Sequence, residues 1–167
     1  MRVREATPED AAAIITLFKA IYAETTFMLV EPGEWNPAVE DQARRIEQNA
    51  KSGSGMTVVA ETDGTLVGAA TGTRGGVKRN RHSAYLVMGV LEASTGRGVV
   101  RALLTALEAW ARANGIHRLE LTVQAHNHRA IALYEKCGFE REGLKRHSLK
   151  IDGTYVDEYY LSKLLAA

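Results

Sequence analysis

The stretch from residue 86 to residue 104 most strongly limits how this chain can fold. It begins with an apolar segment, passes through a loop that contains Gly96 and Gly98, and continues with apolar residues at helical spacing. This order predicts a strand, a glycine-bearing loop and an amphipathic helix. The start of a helix has backbone N–H groups without partners and carries the positive end of the helix dipole, so a phosphate group can bind there.

The two glycines of this loop allow the backbone to approach an anion closely because neither has a Cβ. Arg97 and Arg101 add positive charge beside them. The spacing is neither that of the phosphate loop of nucleotide triphosphatases nor the G-x-G-x-x-G of dinucleotide-binding proteins. Taken alone, the loop is compatible with anion binding and also with a simple turn from strand to helix.

Two motifs carry a resemblance to a known family. Residues 90–100 resemble the cofactor loop of the GCN5-related N-acetyltransferases (GNAT), Arg/Gln-x-x-Gly-x-Gly/Ala after a strand ending in Val. Residues 127–139, NHRAIALYEKCGF, resemble the next motif of that family, Asn-x-x-Ala-x-x-Leu-Tyr-x-x-x-Gly-Phe. Thr95 and Val100 depart from the first pattern, so we expect a phosphate cradle of backbone amides with a weakened side-chain contribution.

The resemblance implies that acetyl-CoA is the co-substrate, and the residue spacing gives no reason to expect a metal. The backbone of the predicted fourth strand is expected to contact pantetheine and the thioester carbonyl, and the loop is expected to hold the phosphates. The expected cofactor-binding residues are Met88, Val90, Thr95, Gly96, Arg97, Gly98, Val99, Val100, Asn127 and Tyr134.

Asn127 and Tyr134 are seven residues apart, which places them on nearly the same face of a helix. By resemblance, Asn127 contacts the pantetheine or phosphate portion of coenzyme A, and Tyr134 lies beside the sulfur. A phenol there can stabilise or protonate the departing thiolate, so Tyr134 is the expected general acid. The residues by themselves also allow a helix N-cap for Asn127 and a core aromatic for Tyr134.

The general base is less well defined, because the predicted fourth strand lacks the Glu that many family members have there. An amine with a pKa of about 10.4 must lose a proton before it attacks. The candidate catalytic bases are Glu31 and Glu120, with Glu34, His82 and His147 as further candidates. A water relay from several of these groups is an open alternative.

Composition narrows the class of protein. The 167 residues carry a net charge of +1, which gives no overall electrostatic preference for nucleic acid or an anionic membrane. One cysteine, Cys137, excludes an internal disulfide, and we expect it to be a small buried side chain. His117, His126 and His128 lack partners at metal-ligand spacing. The charged amino terminus lacks a secretory signal, so a cytoplasmic location is expected.

The order of predicted elements is β-α-α-β-β-β-α-β-α-β-β. It predicts a single domain over residues 1–167 of the α+β class, with three α/β/α layers and a mixed, mostly antiparallel sheet of six or seven strands with about four helices. The order agrees with the acyl-CoA N-acyltransferase fold of the GNAT family. The predicted segments are 3–6, 8–25, 37–51, 56–61, 66–72, 83–90, 99–114, 118–124, 127–138, 142–151 and 154–164. Asp63-Gly64 and Asp152-Gly153 predict the turns of two hairpins among them.

The leading functional hypothesis is direct acetyl transfer to a primary amine of a small molecule, an amino acid or a peptide. The alternative is a non-catalytic acyl-CoA-binding or regulatory domain, suggested by Thr95, Val100 and the missing Glu. A third hypothesis, nucleic-acid binding through the basic residues 74–82, ranks last because a solvated turn explains them. The resemblance makes a homodimer plausible, since strands near the carboxy terminus often pair across subunits in this family.

Overall fold

The computed structural model describes residues 1–166, which form seven strands and four helices. The strands are β1 (Arg2–Glu5), β2 (Gly55–Thr62), β3 (Thr65–Arg74), β4 (Ser83–Val90), β5 (Arg118–Gln124), β6 (Glu140–Ile151) and β7 (Thr154–Leu164). The helices are α1 (Ala11–Glu24), α2 (Val39–Ser52), α3 (Val99–Ala113) and α4 (His128–Lys136). Short 3-10 turns at Pro8–Asp10 and Glu92–Ser94 precede α1 and α3.

All seven strands form one sheet in the order β1-β2-β3-β4-β5-β7-β6. Neighbouring strands are antiparallel except β4 and β5, which are parallel because α3 carries the chain back between them. Asp63 and Gly64 both have positive φ, as do Asp152 and Gly153, which suits the tight turns of the β2–β3 and β6–β7 hairpins. The mixed, mostly antiparallel sheet and both hairpins are confirmed.

The helices cover the two faces of the sheet. α1 and α2 lie on one face, around a core that includes Ile14, Phe18, Ile21, Ile46, Val59 and Ala69. α3 lies on the other face, together with the shorter α4, around a larger core that includes Leu103, Leu104, Leu107, Trp110, Leu119, Leu121, Ile131 and Leu161. The amphipathic spacing predicted for α3 is confirmed, since its buried residues are those on one side of the helix.

Several element limits differ from the prediction by a few residues. The chain enters α1 through a 3-10 turn because Asp10 accepts hydrogen bonds from the backbone of Thr7 and from Arg4, which fixes a tighter turn there. β6 begins two residues earlier than predicted because Glu140 already pairs with Ser162. Cys137 is half-buried at the end of α4 and is not a fully buried side chain as expected.

Candidate active site

β4 and β5 separate in the middle of the sheet. Their ladder spans three positions and ends at Tyr85 on β4 and Glu120 on β5. β4 then continues to Val90 and β5 to Gln124 with no further pairing between them in the described chain. The two strands therefore enclose a gap that is open at their carboxyl ends.

One edge of β4 directs backbone groups into this gap. The N–H of Leu91, just past β4, donates to the carbonyl of Val67 on the β3 side at 2.9 Å. Because backbone groups of successive residues point to opposite edges of a strand, the odd-numbered residues of β4 bond to β3. The even-numbered residues Leu86, Met88 and Val90 therefore present their N–H and C=O groups to the gap, and the cofactor contact expected for Met88 and Val90 stays a prediction.

The glycine loop joins the gap to the start of α3. Gly96 and Gly98 have φ of +75° and +79°, a conformation that L side chains rarely adopt. The first helical bond runs from Ala102 N to Gly98 O, and no side chain caps the helix. The N–H groups of residues 96–101 make no hydrogen bond within residues 1–166. These donors can hold the phosphates of a bound cofactor.

Side chains of the loop contribute less than its backbone. The Thr95 hydroxyl donates to the carbonyl of Glu92 at 2.7 Å and so shapes the turn. The side chain of Val99 is buried in the core, that of Val100 packs against the core, and Arg97 is exposed. The loop therefore offers more free donors from its backbone than from these side chains, and the phosphate cradle expected there stays a prediction.

A cation that the sequence analysis missed lies over the loop. The guanidinium of Arg129, at the start of α4, is 3.2 Å from the point where a Cβ on Gly96 would be. A positive charge beside a loop with free N–H groups favours phosphate binding. Arg129 occupies a variable position of the Asn-x-x-Ala motif, so no sequence signal marked it.

Asn127 caps α4. Its side-chain oxygen accepts a hydrogen bond from Ala130 N at 3.3 Å, which confirms the N-cap interpretation. The amide nitrogen of the same side chain makes no hydrogen bond within the described residues and remains free to contact a ligand. The two roles predicted for Asn127 are therefore compatible.

Tyr134 points from α4 toward the core side of the sheet. Its ring is half-buried and lies edge-on to Phe139, with 5.9 Å between ring centroids. Desolvation by the surrounding side chains raises the pKa of the Tyr134 hydroxyl to about 12, with smaller contributions from Cys137 and Tyr85. The hydroxyl makes no hydrogen bond to any of residues 1–166. It is a proton donor that stays protonated at neutral pH.

The predicted bases occupy different surroundings. Glu120 is the nearest of them to the gap along β5, and its carboxylate is 2.9 Å from the guanidinium of Arg118. Arg118 also binds both carboxylate oxygens of Glu142 at 2.6 Å. Glu31 is exposed in the loop between α1 and α2, where its N–H donates to Glu34 Oε2 at 2.8 Å.

Two histidines named as further candidates lie away from the gap. His82 directly precedes β4, and its carbonyl accepts the backbone N–H groups of His117 and Arg118 at the paired end of the strands. His147 is exposed in β6 and stacks on Tyr155 with 5.0 Å between ring centroids. The structure brings neither imidazole to the open end of the gap.

The loop between α1 and α2 begins against the open end of β5. The side-chain nitrogen of Gln124 donates to the carbonyl of Thr26 at 2.8 Å, and the ring of Phe27 lies 5.2 Å from that of His126. Further along, Trp35 lines a cavity of about 150 Å³ between α1, α2 and the sheet, which Val87 borders on β4. This loop therefore borders the α1–α2 side of the sheet next to the open end of the gap.

The described part of the chain contains neither a metal-binding cluster nor a membrane-spanning helix. Within it, no group of three or more His, Cys, Asp or Glu side chains is arranged to hold a metal ion. None of its helices is both long enough and apolar enough to cross a bilayer.

Comparison with known proteins gives concordant results. The sequence model of the acetyltransferase (GNAT) family matches residues 18–139. A GNAT-family acetyltransferase from Streptococcus pneumoniae is 31% identical, with a TM-score of 0.94 over 99% of each chain. A ribosomal-protein-alanine N-acetyltransferase from Brucella melitensis is 27% identical, with a TM-score of 0.86 over 99% of this chain and 100% of that one.

A third solved structure contains the donor molecule. It is a phosphinothricin acetyltransferase from Sinorhizobium meliloti in complex with acetyl-CoA, 21% identical, with a TM-score of 0.85 over 99% of this chain and 88% of that one. At this identity the likeness shows the fold alone. The acyl-CoA N-acyltransferase fold predicted from the order of elements is confirmed.

Proposed function

Because the chain belongs to the acetyltransferase (GNAT) family, we propose that it transfers the acetyl group of acetyl-CoA directly to a primary amine of a small molecule or peptide. The observation that carries the proposal is the gap between β4 and β5. It offers backbone donors of β4 along one edge, the free N–H groups of the α3 start at its end and the Tyr134 hydroxyl on the α4 side.

The hydrogen-bond donors along the gap follow the order of the parts of coenzyme A, from its phosphates to its thioester. The N–H groups of residues 96–101 and the guanidinium of Arg129 would hold the phosphates. The backbone of Met88 and Val90 would bind pantetheine and polarise the thioester carbonyl, since donors aimed at a developing oxyanion stabilise it. Bound there, acetyl-CoA supplies an activated acyl group with a thiolate leaving group.

Tyr134 is proposed as the general acid. When the amine attacks, the C–N bond forms and the C–S bond breaks, and the thiolate that leaves takes up a proton. A phenol with a raised pKa keeps its proton until such a strong local charge develops beside it. Among the sequence-predicted bases, Glu120 and Glu31 stay predictions, and the carboxylate of Glu120 is paired with the guanidinium of Arg118.

The named relatives differ in the class of their acceptor. Of the relatives that are named for an acceptor, one is named for a ribosomal-protein alanine and another for phosphinothricin. Both peptide and small-molecule amines therefore belong in a test panel. The cytoplasmic location and the homodimer that we expect from the sequence stay predictions.

The test is release of free thiol from acetyl-CoA across a panel of amino acids, polyamines, aminoglycosides, arylalkylamines and peptides with free amino termini. We expect saturable release with one class and a product heavier by one acetyl group. A reaction without acceptor is the control for hydrolysis. Acetyl-CoA binding by calorimetry without release for any amine would favour the non-catalytic acyl-CoA-binding domain, and absence of binding would overturn the proposal.

A further inference from the structure

A buried carboxamide oxygen at the open end of the gap has no partner. Gln124, the last residue of β5, is 1% exposed, and its Oε1 is the one buried side-chain polar atom of residues 1–166 without a hydrogen bond. The orientation of the amide is fixed, because Nε2 donates to the Thr26 carbonyl and a flipped amide would set two oxygens against each other. Oε1 therefore faces away from Thr26.

A buried carboxylate belongs to the residue opposite Gln124 on the neighbouring strand. Glu158 of β7 is the ladder partner of Gln124, so both side chains project from the same face of the sheet. Glu158 is 8% exposed, which is unusual for a carboxylate. Its Oε1 accepts a hydrogen bond from the Ser148 hydroxyl at 2.9 Å, and its Oε2 makes no hydrogen bond within the described residues.

A bulge in β6 places the Ser148 hydroxyl within hydrogen-bond distance of Glu158. The pairing of β6 with β7 slips between Lys145 and Leu149, and His147 within this bulge has a φ of +49°. The His147 N–H donates to Asp157 Oδ1 at 2.7 Å, which holds the bulge in place. A bulge is a device for re-aiming a side chain, and here it brings Ser148 to Glu158.

The pair lies on the face from which an acceptor would meet the acetyl group. Thr122 is two residues before Gln124 on the same face of β5, and its hydroxyl is 2.8 Å from that of Tyr85 on β4. Tyr85 and Val87 are on the α1–α2 side of the sheet, where Val87 borders the cavity between those helices. The α3 start and its free N–H groups belong to the opposite side.

Two residues paired across neighbouring strands thus carry oxygen acceptors on one face of the sheet, one of them charged, and such acceptors match the N–H donors of an ammonium group. The neighbouring cation, Lys145, is 45% exposed and 3.9 Å from Glu158 Oε1, so it does not occupy Oε2. We propose that Gln124 Oε1 and Glu158 form the receptor for the attacking amine, which enters as a primary alkylammonium, and that Glu158 accepts its first proton. This inference rests on the proposed function.

The proton balance is complete. The ammonium gives one proton to Glu158, and the neutral amine, held through an N–H to Gln124 Oε1, attacks the acetyl carbonyl. As the C–S bond breaks, Tyr134 donates its proton to the sulfur, and the second proton of the nitrogen passes through solvent to the Tyr134 phenolate and restores its hydroxyl. Glu158 returns its proton to water. The products are the acetylated amine, coenzyme A thiol and one proton.

The test uses the best acceptor of the panel and the variants Glu158→Gln and Gln124→Leu. Glu158→Gln keeps an oxygen acceptor but cannot take a proton, so we expect kcat to fall by about 100-fold with a smaller change in KM. Gln124→Leu removes one acceptor of the ammonium, so we expect KM to rise by about tenfold with a smaller change in kcat. Ser148→Ala, which frees Glu158, is expected to lower kcat less than Glu158→Gln does.

The matched control is Glu140→Gln, which removes the same charge from an exposed position on β6 and is expected to leave both constants within twofold of the parent. Calorimetry of acetyl-CoA binding identifies the variants that are folded. The proposed phosphate site is on the opposite face of the sheet from the substituted residues, so a folded variant should keep the affinity of the parent. If the folded variants match the parent, or if Glu120→Gln alone abolishes turnover, the inference is overturned while the proposed function stands. If the parent itself acetylates no amine, the proposed function is wrong, and the inference that rests on it is wrong as well.

Discussion

The hydroxyl of Tyr85 lies 2.8 Å from that of Thr122, bridging β4 and β5 just beyond the last position at which the two strands pair. This side-chain contact marks where the gap begins. Tyr134 is near enough to Tyr85 on the other side for that residue to contribute to its raised pKa. The gap thus lies between the two faces of the sheet. The proposed general acid is on one face, and the proposed amine receptor is on the other.

Replacing Tyr134 by Phe tests the general acid. The hydroxyl makes no hydrogen bond to the described residues, so its removal should cost little stability while kcat falls by about 100-fold. Acetyl-CoA affinity should stay within twofold of the parent, measured by calorimetry. Tyr155→Phe, which changes an exposed tyrosine of β7, is the control. An unchanged kcat in Tyr134→Phe would exclude proton donation by this residue.

The pH dependence of kcat provides a separate test of Tyr134. Its pKa is raised to about 12, so the protonated and catalytically competent form persists well above neutral pH. We therefore expect no loss of kcat from Tyr134 ionisation as the pH rises from 7 to about 10. The measurement is kcat at saturating substrates, with circular dichroism at each pH to confirm folding. A loss of kcat near pH 8 that is absent from Tyr134→Phe would contradict the assignment.

Gly98→Ala tests the backbone cradle. A Cβ at Gly98 meets no atom within 4 Å, so the cost comes from its φ of +79°, about 1 kcal/mol, and from displacement of the free N–H groups. We expect acetyl-CoA affinity to fall about tenfold. Gly153 in the β6–β7 turn also has a positive φ and no atom within 4 Å of an added Cβ. Gly153→Ala should therefore lose a similar amount of stability and keep the acetyl-CoA affinity of the parent. Equal affinities in both variants would refute the cradle.

Asp10 should make the protein sensitive to acid. The hydrogen bond from Arg4 is the main cause that lowers the Asp10 pKa from 3.8 to about 2. A depressed carboxyl pKa stabilises the fold above about pH 4 and loses that contribution as the pH falls toward 2. We expect Asp10→Asn to lower the free energy of unfolding by about 2 kcal/mol at pH 7 and by much less at pH 2.

Urea denaturation at several pH values measures this effect. Asp41→Asn is the control, because the Asp41–Arg44 pair is exposed and such pairs contribute little. A difference between Asp10→Asn and the parent that does not shrink in acid would show that the linkage is absent.

Gly72→Ala tests the packing of the α3 side. A Cβ at Gly72 would be 2.8 Å from the buried ring of Trp110, so the ring or the strand would have to shift. We expect unfolding to be easier by about 1–3 kcal/mol, the usual effect of overpacking a core. Gly143→Ala, on β6 with nothing within 4 Å, should leave the midpoint of thermal unfolding nearly unchanged.

Local sequence signals predicted the local parts of this structure. Asp63-Gly64 and Asp152-Gly153 marked the hairpins, and Gly96 and Gly98 marked the loop before α3, because positive φ leaves a direct trace in residue type. The limits of α1 and β6 were missed by a few residues, since side-chain bonds and cross-strand pairing set them.

The long-range parts of the site left no such trace. Gln124 and Glu158 are 34 positions apart, and only the register of β5 against β7 makes them neighbours. Arg129 reaches Gly96 through the placement of α4 on the sheet. The separation of β4 from β5 likewise follows from tertiary packing, and neither strand contains a residue that would stop the pairing.

Unpaired strand edges normally lie at the rim of a sheet, where another chain can add to them and start aggregation. Here the free edge of β4 is in the interior, flanked by β5 and bridged by the Tyr85–Thr122 contact. β5 borders the gap on its far side, so this edge is not open to a neighbouring molecule in the way an edge at the rim is. The molecule thus keeps backbone hydrogen-bonding capacity in reserve in the middle of its sheet, away from the rim where self-association by strand addition begins.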